Sequence, residues 1–157
     1  MPLPRPSEDN EFLAAHIAVL RRSFRRFTGR ELAPARMTDP EAARYLFQAP
    51  LALLSHDTAP DPIFDYANET AMGLFGMSWE EITALPSRLS AEAGNREERE
   101  ALLAIVSAQG YIDDYSGVRI SRQGRRFRIE NAVVWNLIDD LGAPCGQAAM
   151  FEHWQWL

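Results

Sequence analysis

The run from Arg126 to Ile138 constrains this chain more than any other segment. Phe127, Ile129, Val133, Trp135 and Leu137 alternate to one side of an extended backbone, with Arg128, Glu130 and Asn136 on the other. A period of two with one apolar side is the signature of a strand buried on one face. Turn-forming residues bound it at both ends, Arg122-Gln123-Gly124 before it and Asp139 to Pro144 after it. The flanking segments, Tyr111 to Ser121 and Cys145 to Trp154, then read as strands of the same sheet. Three strands in succession finish the chain.

Upstream the pattern changes. Residues 1–10 carry three prolines and read as a loose tail. From Asp9 to Thr28 the apolar residues Leu13, Ile17, Leu20, Phe24 and Phe27 recur at steps of four and three, which predicts an amphipathic helix. Arg21, Arg22, Arg25 and Arg26 lie off that stripe, and Gly29 ends it. The stripe fits packing on its own domain and pairing with a second molecule equally well. A proline-bearing connector leads to a short helix from Glu41 to Gln48. Ala49 to Ser55 and Ile63 to Ala67 read as two strands joined by the Asp61-Pro62 turn. Asn68 stands before a short helix that Gly76 closes, and Ser78 with Glu81 forms a capping box for the next. A longer helix, with Leu102, Leu103 and Val106 on its buried side, runs from Asn95 to Gln109.

The order is two strands, several helices and three strands. Its economical solution is an α+β domain: a five-stranded antiparallel sheet with helices on one face, plus the N-terminal amphipathic helix. Residues 1–40 form the tail, helix and connector, and residues 41–157 the domain itself. With 46% apolar and 24% charged residues, the 157-residue chain has the balance of one globular domain. A net charge of -6 argues against non-specific binding to nucleic acid or to an anionic membrane surface. All of the basic residues are arginine, which excludes Schiff-base and P-loop lysine mechanisms. Cys145 is the single cysteine, so an intrachain disulfide is excluded. The start lacks the apolar run of a signal peptide, and no window reaches the length of a membrane span. The expected location is the cytoplasm.

This plan resembles that of PAS domains. Ile63-Phe64-Asp65-Tyr66-Ala67-Asn68 looks like the second PAS strand entering its first helix, and Phe75-Gly76-Met77-Ser78-Trp79-Glu80-Glu81-Ile82 like the next helix. The chain is more similar still to MEKHLA domains, a PAS-related family found at the C-terminus of plant homeodomain-leucine zipper proteins and as stand-alone bacterial proteins. Ala49-Pro50, Leu54-Ser55-His56, Asp61-Pro62-Ile63-Phe64, Pro86 to Glu92 and Asn95-Arg96-Glu97-Glu98-Arg99 resemble the bacterial form. So do Gly110 to Arg119, Trp135 to Asp139, Gly146 to Ala149 and Trp154, whereas only Gly110 to Trp154 resembles the plant form. The resemblance implies a PAS-like fold and no defined chemistry.

No metal-binding spacing links His16, His56 and His153. A haem-binding PAS domain would place a histidine on the long helix, which has none. A flavin photosensor of the LOV type would carry its cysteine near the helices after the second strand, whereas Cys145 opens the last strand. No catalytic residue, metal ligand or cofactor is therefore assigned, although an unidentified small organic ligand fits a PAS-like cavity. Its candidate lining is Ser87, Arg88, Ser90 and Glu92 from the irregular segment after Pro86, with Asn131, Trp135 and Gln147 from the strands. Asn131 falls in the apolar alternation of its strand, where it needs a partner such as Gln147 or a ligand. Arg119, Arg122, Arg125, Arg126 and Arg128 read as a solvated strand face.

Three functions compete. The favoured one is a sensory or ligand-binding module acting through a protein partner, as a homodimer that uses the N-terminal helix. The second is a ligand-free interaction module. The last, an enzyme using Arg88, Glu92 or His56, lacks a nucleophile–base spacing.

Overall fold

The computed structural model describes residues 2–157 and folds them into one sheet with helices. In chain order these are α1 (Ala14–Thr28), α2 (Asp39–Gln48), β1 (Ala52–His56), β2 (Phe64–Ala67), α3 (Glu69–Phe75), α4 (Trp79–Ile82), α5 (Ala93–Gln109), β3 (Tyr111–Ile120), β4 (Arg126–Ile138), β5 (Pro144–Phe151) and β6 (His153–Trp156). The strands pair antiparallel in the order β2-β1-β5-β4-β3. The final run, expected as one strand, divides at Glu152. Its first part pairs with Val133 to Ile138 of β4 and its second, β6, with Phe127 to Glu130.

The caps form as their side-chain chemistry requires. Ser78 Oγ accepts from the Glu81 amide and Glu81 Oε1 from the Ser78 amide, at 3.2 and 3.0 Å. Asn68 does more than cap α3. Its Oδ1 accepts from the amides of Ala71 and Leu53, and its Nδ2 donates to the carbonyls of Leu46 and Leu51. One fully buried amide thus ties α2, β1 and α3 together with all four bonds it is able to make.

The first helix begins later than its apolar spacing predicts. Glu11, Phe12 and Leu13 form a left-handed turn, with φ of 53°, 55° and 60°. Such geometry costs about 1–2 kcal/mol per residue. Burial of Phe12 against Phe47, ring centroids 6.0 Å apart, and of Leu13 offsets it.

A bulge in β4 decides which residue faces which layer. Asn131 takes a φ of 53°, and the register steps from Gly117↔Ile129 to Tyr115↔Ala132, inserting one residue into β4. The alternation expected from the sequence therefore breaks there. Phe127 and Ile129 share a face with Ala132, Val134 and Asn136, while Val133, Trp135 and Leu137 turn to the other side. Asn131 is exposed, not buried.

Each face has its own cover. α3 and α5 pack on the first: Phe75 meets Phe127 edge-on at 5.2 Å, and Leu102 and Val106 pack on Val134. α1 lies on the second, with Phe24 edge-on to Trp135 at 4.8 Å. Trp135 Nε1 donates to the Leu20 carbonyl at 3.3 Å, and Ser23 Oγ accepts from the Ile138 amide at 2.9 Å. Leu13, Ile17, Leu20 and Phe24, the stripe that fitted either partner, are buried within this chain.

Candidate functional site

Between α5 and the sheet lies a cavity of about 70 Å³. Most of its wall is apolar, including Leu54, Phe64, Phe75, Leu102, Ile129 and Phe151. Into it come His56 from β1, Arg99 from α5, Arg119 from β3 and Gln147 from β5. The four elements meet because β1 and β5 are neighbours, β5 pairs with β4, and α5 packs on β3 and β4. Gly146 permits the close approach of β5 to β1: a Cβ there would sit 2.2 Å from the His56 carbonyl oxygen, at a φ of 153°.

The two arginines dominate the electrostatics. Arg99 and Arg119 are 7% and 8% exposed, and among the described residues neither forms an ion pair with a carboxylate. Arg99 Nη2 donates to Ser87 Oγ at 2.5 Å. Arg119 donates to the Val118 carbonyl and, at 3.3 Å, to Tyr115 Oη, whose ring lies 5.7 Å below its guanidinium. Burial, and then the Arg119 charge, pulls the Arg99 guanidinium down to about 10. Arg99 remains a cation at neutral pH.

His56 completes the polar set. Its Nδ1 lies 2.9 Å from the Asp57 carbonyl, which is only an acceptor, so Nδ1 carries the proton and Nε2 is an acceptor. Among the described residues, Nε2 is buried with no hydrogen-bond partner. Burial holds this histidine below its ordinary pKa and hence neutral.

Of the residues singled out in the sequence, Ser90 and Gln147 line the cavity, and Ser87 supports Arg99 from behind. Ser90 Oγ donates to the Ser87 carbonyl at 2.7 Å. Gln147 Nε2 donates to Leu103 O, Ser107 Oγ and Asn136 Oδ1, so its amide partner is Asn136 and not Asn131. Arg88 pairs with Asp61 at 3.1 Å toward solvent, and Glu92, through an Oε1 that is itself shut off from water, lies 3.4 Å from exposed Arg126. Trp135 lies on the α1 face, behind the sheet.

Arg119 departs from the solvated face expected for the strand arginines. It stands opposite Phe127 in the β3–β4 register and so shares that residue's inward face. Arg122, Arg125, Arg126 and Arg128 are exposed. Arg99 was missed, although it continues the Leu102 and Val106 stripe by one turn.

On the other face His16, Ser55 and Asp65 come together, a set of residue types found in hydrolases. Ser55 Oγ donates to Asp65 Oδ1 and lies 2.9 Å from His16 Nε2. With the hydroxyl proton already engaged by Asp65, His16 must donate to Ser55. The histidine cannot then serve as the serine's base, which is the essential step of a triad.

Comparison with known proteins places these features in a lineage. A model of the MEKHLA domain matches residues 14–156. The homeobox-leucine zipper protein HOX33 of rice, Oryza sativa subsp. japonica, is 27% identical over 144 residues, covering 87% of this chain and 16% of its own length. Homeobox-leucine zipper protein ATHB-14 of Arabidopsis thaliana is 27% identical over 103 residues, 64% of this chain and 12% of that protein. This chain thus spans a small part of these curated relatives. The likeness to plant proteins also reaches well beyond the final third from which the sequence suggested it. The solved PAS domain of a Colwellia psychrerythraea protein superposes with a TM-score of 0.61 at 17% identity, over 69% of this chain and 90% of that one. An RNA-binding light-oxygen-voltage receptor gives 0.63 at 21%, over 76% and 34%. At these identities the likeness is one of fold.

Proposed function

The chain belongs to the MEKHLA domain family, and from that membership we propose that it is a PAS-like sensory module. It binds a small molecule between α5 and the sheet and acts by associating with another protein. The observation that carries the reading is the convergence of Arg99, Arg119 and His56, from three elements, on one apolar-walled cavity. Burying such groups without partners is unfavourable, and a core selected for stability alone would be filled with apolar side chains. Clusters of perturbed, partner-poor groups in a cavity mark binding sites. Native mass spectrometry of the purified protein tests this: a stoichiometric retained mass that Arg99→Gln removes is the expected result.

A ligand-free interaction module is the second reading, and the small cavity favours it. A cavity of about 150 Å³ takes one benzene ring, and this one is about 70 Å³. The same size bears on the flavin of light-oxygen-voltage relatives. That size argues against an isoalloxazine, and Cys145 lies outside the lining, its thiol pKa pushed up by burial. No cofactor is part of the proposal.

Homodimerisation belongs to the same proposal. Because the α1 stripe is buried on its own sheet, pairing through α1 would exchange that helix between two copies. Light scattering at high micromolar concentration, with and without residues 1–30, reads this directly. A bacterial origin and a cytoplasmic setting belong to the same proposal, the first resting on the sequence stretches and the second on the single cysteine described above. Among the described residues no helix is long and apolar enough to cross a membrane.

A further inference from the structure

We propose that the cavity receives a short-chain hydroxycarboxylate, its carboxylate held between Arg99 and Arg119 and its hydroxyl donated to His56 Nε2. The inference deepens the ligand-binding reading above and rests on it.

Charge comes first. Two buried guanidiniums share one cavity whose lining contains no aspartate or glutamate. A guanidinium offers five N–H donors, yet among the described residues Arg99 uses one, toward Ser87, and Arg119 satisfies only Val118 O and Tyr115 Oη. The unused donors and the uncompensated charge call for a small anion, and planar guanidiniums match a carboxylate. Gly117 serves the same geometry: a Cβ there would meet Tyr115 Oη at 2.2 Å, so its absence lets the Tyr115 ring lie beside Arg119.

Composition of the wall selects among anions. Phosphate or sulfate would be stripped of water against Leu54, Phe75, Leu102 and Ile129 with nothing apolar to gain. An acid with a short carbon chain buries that chain there. The volume, smaller than that which holds a benzene ring, limits it to about two to four carbons. His56 adds the last requirement. Its Nε2 is a buried acceptor without a donor, and a carboxylate supplies no proton to it, whereas a hydroxyl does.

Calorimetric titration of the full chain with glycolate, lactate and 3-hydroxybutyrate tests the proposal, with acetate, propionate, lactamide and phosphate as comparisons. At least one hydroxy acid is expected to bind about tenfold or more tighter than the unsubstituted acids. Arg99→Gln and Arg119→Gln should each weaken it by a similar factor, and His56→Phe should reduce it to the level of the plain acid. Circular dichroism melts show that each variant is folded, and removing a buried charge is not expected to lower the midpoint. Equal binding of lactamide, phosphate or propionate overturns the hydroxycarboxylate, while the ligand-binding reading survives. If no probe binds and native mass spectrometry shows a different retained mass, the reading stands and this inference falls. If no probe binds and no mass is retained, both fall.

Discussion

On the α1 face of the sheet most of the buried polar groups have found each other, Tyr66 Oη beside His16 being the exception among the described residues. Trp135 Nε1 reaches the Leu20 carbonyl, Ser23 takes the Ile138 amide, and Ser55 sits between His16 and Asp65. Aromatic rings fill the space between them. Across the same strands, the α5 face holds a cavity with two guanidiniums that, among the described residues, have no carboxylate partner and an imidazole nitrogen that has no donor. Both faces are built from neighbouring residues of the same strands, so the difference lies in how each side chain is completed. Under the proposed function, the unpartnered groups of the α5 face are the ones a bound ligand would complete.

Substitutions on each side should separate these roles. Trp135→Ala is expected to destabilise by about 3–5 kcal/mol, since it empties the centre of the filled face. A thermal midpoint unchanged within error would show that α1 does not pack there. Asn68→Ala, at the joint of α2, β1 and α3, should cost about 2–3 kcal/mol by stranding buried backbone groups. Urea denaturation measures it, and a loss under 0.5 kcal/mol would mean that water or backbone movement replaces the amide. Arg99→Met should act in the opposite direction, raising ligand-free stability by about 1 kcal/mol because it removes an unpaired buried charge. A marked loss instead would place Arg99 among the groups that hold the fold together.

Acid touches both faces at once and should have the smallest effect. Burial lowers the pKa of His56, and of His16 despite the opposing pull of Asp65, below 6.5. Below that value the unfolded chain binds more protons than the folded one, so stability declines as pH falls toward the depressed folded values. Denaturation midpoints that stay flat from pH 7 to pH 5 would contradict the burial of both rings.

Legibility in the sequence followed the range of the interactions. Caps and turns are local, and Asn68, Ser78 with Glu81 and the limits of β4 were all readable. The bulge was not, because Ala132, Val133, Val134 and Trp135 form an unbroken apolar run in which either parity fits. Asn131 tolerates a left-handed backbone, but nothing local marks where the extra residue goes. Likewise, Glu152 interrupts no pattern, so β5 and β6 read as one strand. The site suffered most. An arginine in a strand or on a helix reads as solvated because burying its charge is costly, and only the assembled sheet shows Arg119 opposite Phe127 and Arg99 above the cavity. His56 was visible only as a conceivable acid or base. The candidate segment after Pro86 contributed Ser87 and Ser90, whereas Arg88 and Glu92 turned to surface partners.

The strand β4 has a mechanical consequence. Past Asn131 it is a partition one backbone thick, with Val134 pressed by α5 on one side and Trp135 by α1 on the other. A partition has no depth in which to absorb displacement. Ala132 and Val134 border the cavity while their chain neighbours Val133 and Trp135 face α1, so the same peptide units wall the chamber and seat the first helix.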